Sequence, residues 1–236
     1  LLLIGTGIIL YIYLIVNKSS ELNKIEFPIL IILSLIGMML MVSSNDILSL
    51  FVSMELQSLS LYILVSFAKE DRNSSEAGVK YFVLGSLSTC IFLFGSSLIY
   101  GCLGTTNFSE IANAINQLNE IPIILVIGVV FILVALSLKI SAAPFHMWTP
   151  DVYQGAPTII TAYLSVVPKI AAFAVIIRFL VFPFGEIIID WGKIIIILSI
   201  TSMLVGSLGA LQQTDIKRLF AYSTINHVGF MLVGLV

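Results

Sequence analysis

KISAAPFHMWTPDVYQGAPT, from Lys139 to Thr158, is the stretch whose reading decides the fold. It follows an uncharged run, Ile121 to Leu138, and brings together a lysine, a histidine, an aspartate, a tryptophan and three prolines. A membrane-spanning helix takes roughly 20 apolar residues, so Lys139 stands inside hydrocarbon or at its edge. Pro144, Pro150 and Pro157 each remove a backbone donor and disfavour uninterrupted helix. Broken backbone at membrane depth is tolerated only inside protein or beside a water-filled cavity. A second lysine, Lys169, sits in the middle of the next apolar run. The chain reads as organised around these two lysines and the broken helix between them.

Composition agrees. Of 236 residues, 59% are hydrophobic and only 10% charged, with a mean hydropathy of +1.12; soluble domains carry roughly 25% charge. The expected fold is all-α, a polytopic transmembrane helical bundle. The net charge of −2 comes with no basic cluster that would bind nucleic acid. Cys90 and Cys102 lack CxxC spacing and read as packing residues. There is no GxGxxG fingerprint, no Walker loop, no cysteine set for an iron–sulfur cluster and no haem ligand pair, so the chain is not expected to carry electrons or to hold a cofactor or metal. It starts Leu-Leu-Leu inside one apolar run and stops inside another, and so reads as a piece of a longer protein.

Eight spans are expected, over residues 1–16, 27–44, 46–68, 77–103, 121–142, 157–182, 187–211 and 215–236. In residues 104–120, Phe108, Ile111, Ile115 and Leu118 fall at helical spacing, which fits a short amphipathic helix at the interface as well as it fits an ordinary loop. With alternating spans, Lys18, Lys24, Lys69, Arg72, Lys80, Lys217 and Arg218 all fall on one side, expected to be matrix or cytoplasm. Lys193 and Arg178 fall towards the other.

A repeat is also visible. Asp46-Ile47-x-x-Leu50-Phe51 returns as Asp215-Ile216-x-x-Leu219-Phe220, at an offset of 169 (215 − 46). The odd number of spans between the copies inverts the second. Inverted repeats mark transporters whose sites lie near the midplane. The expected organisation is an N-terminal helix and loop over 1–26, a first five-helix repeat over 27–182 and the start of a second over 183–236.

Charges inside the spans are the candidate site. Glu55 lies about 15 Å into its span at 1.5 Å per residue, and Lys169 is about as deep; each costs roughly 2.5–3.5 kcal/mol on insertion scales. Lys139 sits near a helix C-terminus, where a cation also suits the dipole and can snorkel. His227 is mid-span in the last helix, and His146 lies in the break. Each also reads as a satisfied packing residue. One acid and two lysines in apolar surroundings nevertheless suit proton transfer, because making and breaking a Glu–Lys pair loads and unloads a proton.

With the residues on the page, the chain from Met41 to Val236 resembles the antiporter-like membrane subunits of respiratory complex I, NADH:ubiquinone oxidoreductase, and most of all their subunit 2 branch. The block from Lys139 to Thr158 carries the resemblance, together with MELQSLSLYIL (Met54–Leu64), KYFVLGSLS (Lys80–Ser88) and IKRLFAYSTINHVG (Ile216–Gly229). It implies two inverted five-helix repeats and proton translocation along a polar axis at the membrane midplane. Glu55 then looks like the glutamate that pairs with the broken-helix lysine, Lys139 like that lysine, Lys169 like the central lysine and His227 like a member of the axis. The second broken helix, with its own lysine, is missing from this sequence. NADH, FMN, iron–sulfur clusters and ubiquinone are implied for the whole complex only. The implied partners are the other membrane-arm subunits, lipid and a polypeptide completing the second repeat. A structural subunit without a proton path, and a subunit of a multisubunit sodium/proton antiporter, are the alternative readings. The Ile-rich composition favours the mitochondrial inner membrane over a bacterial plasma membrane or a thylakoid.

Overall fold

The computed structural model describes residues 5–7, 9–10, 24–118 and 120–235. The described residues form helices and no strand. In chain order these are α1 (Glu26–Ser43), α2 (Ile47–Val65), α3 (Arg72–Leu103), α4 (Phe108–Asn116), α5 (Ile123–Ile140), α6 (Trp148–Gly155), α7 (Thr158–Val181), a 3-10 turn (Gly185–Ile187), α8 (Ile188–Leu211) and α9 (Ile216–Val233). Among the described residues, six helices are long and apolar enough to cross a membrane: α1, α2, α3, α5, α7 and the Gly185–Leu211 unit. The protein is therefore a multi-pass helical membrane protein. The span expected over 1–16, and Lys18 with it, lies outside the described residues apart from helical residues 5–7 and 9–10. The last expected span forms α9, but Lys217, Arg218, Asn226 and His227 leave it less apolar than the six.

Helix starts follow from capping side chains. Asp46, Asp71, Asn107 and Asp215 each accept backbone N–H groups from the first turns of α2, α3, α4 and α9. Capping at Asp71 starts α3 at Arg72, more than a turn before the expected residue 77. Residues 104–120 do contain a helix, α4, which buries Phe108, Ile111 and Ile115. Leu118 falls beyond its end and is partly exposed. Gly104 closes α3 at φ 72°, a conformation glycine adopts without strain.

The closest packing joins α8 to α9, α3 to α5 and α1 to α2. Small residues let these backbones approach, as membrane helices require where hydrophobic burial drives nothing. Gly37 of α1 lies against Gln57 of α2, where an added Cβ would stand 2.7 Å from the Gln57 nitrogen. Gly206 of α8 lies against Asn226 of α9 in the same way, at 2.5 Å. Each member of the second pair stands 169 positions after its counterpart (206 − 37 and 226 − 57). α7 is the central helix: 61% of its most apolar window is buried, against 28% for α8.

The two ends of the bundle differ in charge. Lys24 lies over the Phe67 ring, 6.0 Å from its centroid, and Lys69 and Arg72 follow Phe67 in the connection from α2 to α3. Lys80, Asp151 and Arg218 meet at this same end. At the opposite end Arg178 donates to the Val42 carbonyl at 2.6 Å, and Thr106 and Asn107 lie against Asp46. Asp46 and Asp215 therefore open their helices at opposite ends of the bundle.

Candidate functional site

The site is built on the break between α5 and α6. α5 stops because Ser141 turns left-handed, at φ 64°, and Pro144 follows. The backbone groups released there find partners inside the protein. Trp148 Nε1 donates to the Leu138 carbonyl at 2.8 Å. Ala143 N donates to Ser202 Oγ at 2.8 Å, and Thr201 Oγ1 donates to the Ala143 carbonyl at 2.9 Å. Two hydroxyls of α8 thus stand where water or a neighbouring helix would otherwise be needed. Sequence reasoning did not find Thr201 and Ser202, because a hydroxyl in an apolar run carries no mark of what it faces.

Lys139 ends α5 and points at α2. Its ammonium donates to Ser58 Oγ at 2.7 Å, and Ser58 donates onward to the Met54 carbonyl at 2.7 Å. Glu55 stands one turn before Ser58 on the same helix, and its Oε1 accepts from Thr89 Oγ1 of α3 at 2.6 Å. The expected direct Glu55–Lys139 pair is not formed: among the described residues every ion pair lies in the cluster at the basic end. Each charge instead has its own hydroxyl, Thr89 for Glu55 and Ser58 for Lys139. Tyr81 and Trp148 stack 4.7 Å apart beside Lys139.

Lys169 occupies the middle of α7. The residue is 4% exposed, and its Nζ has no hydrogen-bond partner among the described residues. The nearest polarisable group is the Tyr153 ring, 5.7 Å away at its centroid, a cation–π contact supplied by α6. Pro168 stands immediately before it, yet α7 runs unbroken from Thr158 to Val181, and Pro168 withholds an N–H from the Leu164 carbonyl.

Two cavities meet at Lys169. One is internal, is shared with Lys139, Ser58, Gln57, Tyr81 and Trp148, and has free room for about one water. The other is an open groove of about 670 Å³ between α7 and α9, lined by Tyr153, Ser165, Thr224 and His227 as well as Lys169. His227 is exposed in that groove and makes no hydrogen bond with Lys169. His146, in the break, faces the Tyr222 ring at 6.4 Å and lines neither cavity. Of the four candidate residues, the structure joins Lys139 and Lys169 through the internal cavity, brings Glu55 within a helical turn of it and places His227 beyond Lys169.

A polar cluster at the basic end was also missed. Asp151 of α6 accepts from Lys80 of α3 at 3.0 Å and from Arg218 of α9 at 2.8 Å. Burial raises its carboxyl, but hydrogen bonds and charge from Lys80 and Arg218 outweigh that and hold it below the usual carboxylate value. The signal existed, since Asp151, Lys80 and Arg218 all lie in the stretches that carried the resemblance, but spacing could not show that they meet.

Against known proteins, residues 44–236 match the family described as NADH:quinone oxidoreductase/Mrp antiporter, transmembrane. NADH-quinone oxidoreductase subunit N 1 of Rhizobium meliloti is 50% identical over 218 residues, 92% of this chain and 45% of the relative. Subunit N of Granulibacter bethesdensis is 46% identical over 235 residues, 100% of this chain and 49% of the relative. A chain of respiratory complex I from Thermus thermophilus superposes with a TM-score of 0.84 at 33% identity, over 100% of this chain and 49% of that one. A chain of the Mrp complex from Dietzia sp. superposes at 0.88 with 23% identity, over 98% of this chain and 42% of that one, which speaks for the fold alone. The chain spans about half the length of the relatives it matches.

Proposed function

The chain belongs to the NADH:quinone oxidoreductase/Mrp antiporter transmembrane family, and on that premise we propose that it is a proton-translocating membrane-arm subunit of an NADH:quinone oxidoreductase. The reading assigns residues 27–182 to a first five-helix repeat that forms a half-channel, and residues 183–236 to the start of an inverted second. It takes other membrane-arm subunits as partners. Its home is an energy-converting membrane: the Ile-rich composition favours the mitochondrial inner membrane, and the bacterial relatives favour the plasma membrane.

The observation that carries the reading is Lys169, a buried amine with no hydrogen-bond partner among the described residues, which lines both cavities. A lysine that served packing alone would need a fixed partner to offset several kcal/mol of insertion cost. Lys169 has an aromatic face on one side and room for about one water on the other. Such an amine can accept a proton relayed from Lys139 across the internal cavity and release it into the groove that holds His227. Ser58 holds the Lys139 ammonium in place, and Glu55, one turn away, attracts the proton to that end of the path. As the proton leaves Lys139, the pull between Glu55 and Lys139 is lost; as the next one arrives, it returns. This chain needs no redox group for these steps.

Lys169→Met tests the reading in the assembled, membrane-bound complex. Assembly should be retained, while proton pumping and quinone reduction fall on the order of a hundredfold, the scale of losing one proton-handling group. Lys169→Arg should also fail, because guanidinium does not deprotonate. A packing role predicts the reverse order, with Arg tolerated and Met losing assembly. Pumping at the parental rate in Lys169→Arg would exclude deprotonation at this position.

A further inference from the structure

Half-helix α6 is eight residues long, too short to be stable by itself. A break precedes it and Pro157 follows it. Its position is fixed from outside, by side chains of two helices that come from different parts of the chain. On one side Lys80 of α3 donates to Asp151 Oδ2 at 3.0 Å, and Lys80 is itself paired with Glu76 at 2.9 Å. On the other side the first turn of α9 grips the C-terminal half of α6. Arg218 Nη1 donates to Asp151 Oδ1 at 2.8 Å and to Gln154 Oε1 at 3.0 Å. Lys217 Nζ donates to the Ala156 carbonyl at 2.8 Å, where a cation also suits the helix dipole.

The inner side of the same short helix carries the aromatic residues that touch both lysine environments. Trp148 stacks on Tyr81 in the cavity of Lys139. Tyr153 presents its ring to Lys169, and its carbonyl accepts from Thr161 of α7 at 2.9 Å. Asp151 lies between these two aromatics in sequence, on the polar side.

We infer that Asp151 is a positioning residue: it registers α6 between Lys80 of α3 and Arg218 of α9, and so sets Trp148 and Tyr153 against the two buried lysines. The inference rests on the reading of Lys139 and Lys169 as proton carriers. Its weight is geometric rather than thermodynamic. The Asp151 side chain is 37% exposed, and exposed ion pairs contribute little to stability. Loss of the carboxylate therefore leaves the fold intact but frees α6 to shift. The arrangement also gives a route between the two halves of the chain: a movement of the first turn of α9 relative to α3 reaches both lysines through α6.

The test uses Asp151→Asn, Asp151→Glu and Arg218→Gln in the assembled complex, with Lys169→Met as the control for transport itself. Backbone hydrogen exchange over residues 148–156 reads the position of α6, and the pH profile of proton pumping reads its consequence. Asp151→Asn and Arg218→Gln should assemble, exchange several-fold faster over 148–156, pump several-fold more slowly and show a shifted pH profile. Asp151→Glu should restore most of both. Unchanged exchange overturns the inference, even with slowed pumping, because Asp151 would then act otherwise than by position. Faster exchange with a parental rate and pH profile overturns it equally. Parental pumping in Lys169→Met would instead overturn the transport reading, and the inference with it; when Lys169→Met is inactive, the Asp151 results alone decide.

Discussion

Asp46 and Asp215 open α2 and α9 with the same four identities and the same cap. One oxygen of each carboxylate accepts two backbone N–H groups of its helix: Leu48 and Ser49 in α2, Lys217 and Arg218 in α9. The other oxygen reaches out to a distant side chain, and there the two part. Asp46 takes the Thr106 hydroxyl, from the connection that leads into α4. Asp215 takes the Gln154 amide of the half-helix at 3.5 Å, and the two basic residues beside it hold that half-helix. In α2 the matching places hold Leu48, which is exposed, and Ser49. One local solution for starting a helix thus serves two ends: it fastens the first hairpin to a connecting segment and the second to the half-helix of the site.

Further along the same helices the contrast continues. Glu55 and Ser58 of α2 correspond, at the repeat offset, to Thr224 and His227 of α9 (55 + 169 and 58 + 169). The first pair faces inward, to Thr89 and Lys139. The second lines the open groove. Glu55→Gln should therefore slow proton pumping by about tenfold, equivalent to a coupling of about 1.4 kcal/mol, within the range for neighbouring groups. Thr224→Val should change it little. A double-mutant cycle of Glu55→Gln with Lys139→Met should be non-additive although the two side chains do not touch. Additivity would mean that Glu55 serves only Thr89.

A smaller effect tests whether the hairpins are packed alike. Gly37→Ala and Gly206→Ala each place a methyl against backbone of the facing helix, so neither neighbour can swing aside as a flexible side chain would. Each should cost about 1–3 kcal/mol, the usual range for overpacking, read as a fall in the thermal midpoint of the detergent-solubilised complex. Similar losses fit one packing plan used twice. A large loss at Gly37 with none at Gly206 would show that the second hairpin opens to accommodate the methyl.

Much of this was legible in the sequence because membrane helices write themselves as uncharged runs. The break was legible too, since Pro144 cannot continue the helix that ends at Ile140. The two lysines stood out because charge inside an apolar run is costly and needs a reason. Partners were harder. Lys139 was expected to meet Glu55 and meets Ser58, because a hydroxyl among apolar residues attracts no notice in a sequence while a carboxylate does. Asp151 was read only as one residue of the broken-helix stretch and not as a junction, because its two partners lie 71 and 67 positions away.

The smallest effect concerns the caps themselves, and it separates what Asp46 and Asp215 share from what they do not. Replacing a capping aspartate by alanine costs about 0.5–2 kcal/mol, because two N–H groups of the first turn lose their acceptor. Asp46→Ala and Asp215→Ala should lose similar amounts, since the capping distances are alike, at 2.7 and 2.8 Å for the shorter bond of each. The consequences should differ in place. Without Asp46, Thr106 loses its acceptor, and hydrogen exchange should quicken around residues 104–108 and the first turn of α2. Without Asp215, the first turn of α9 frays, and Lys217 and Arg218 lose the backbone that aims them at Ala156 and Asp151. Exchange should then quicken over 148–156, and pumping should slow in step, although Asp215 touches neither lysine. Asp46→Ala should leave pumping near the parental rate. If both variants pump alike while both frayed turns are seen by exchange, the grip of α9 on α6 carries no proton-transfer role, and the two caps differ in address only.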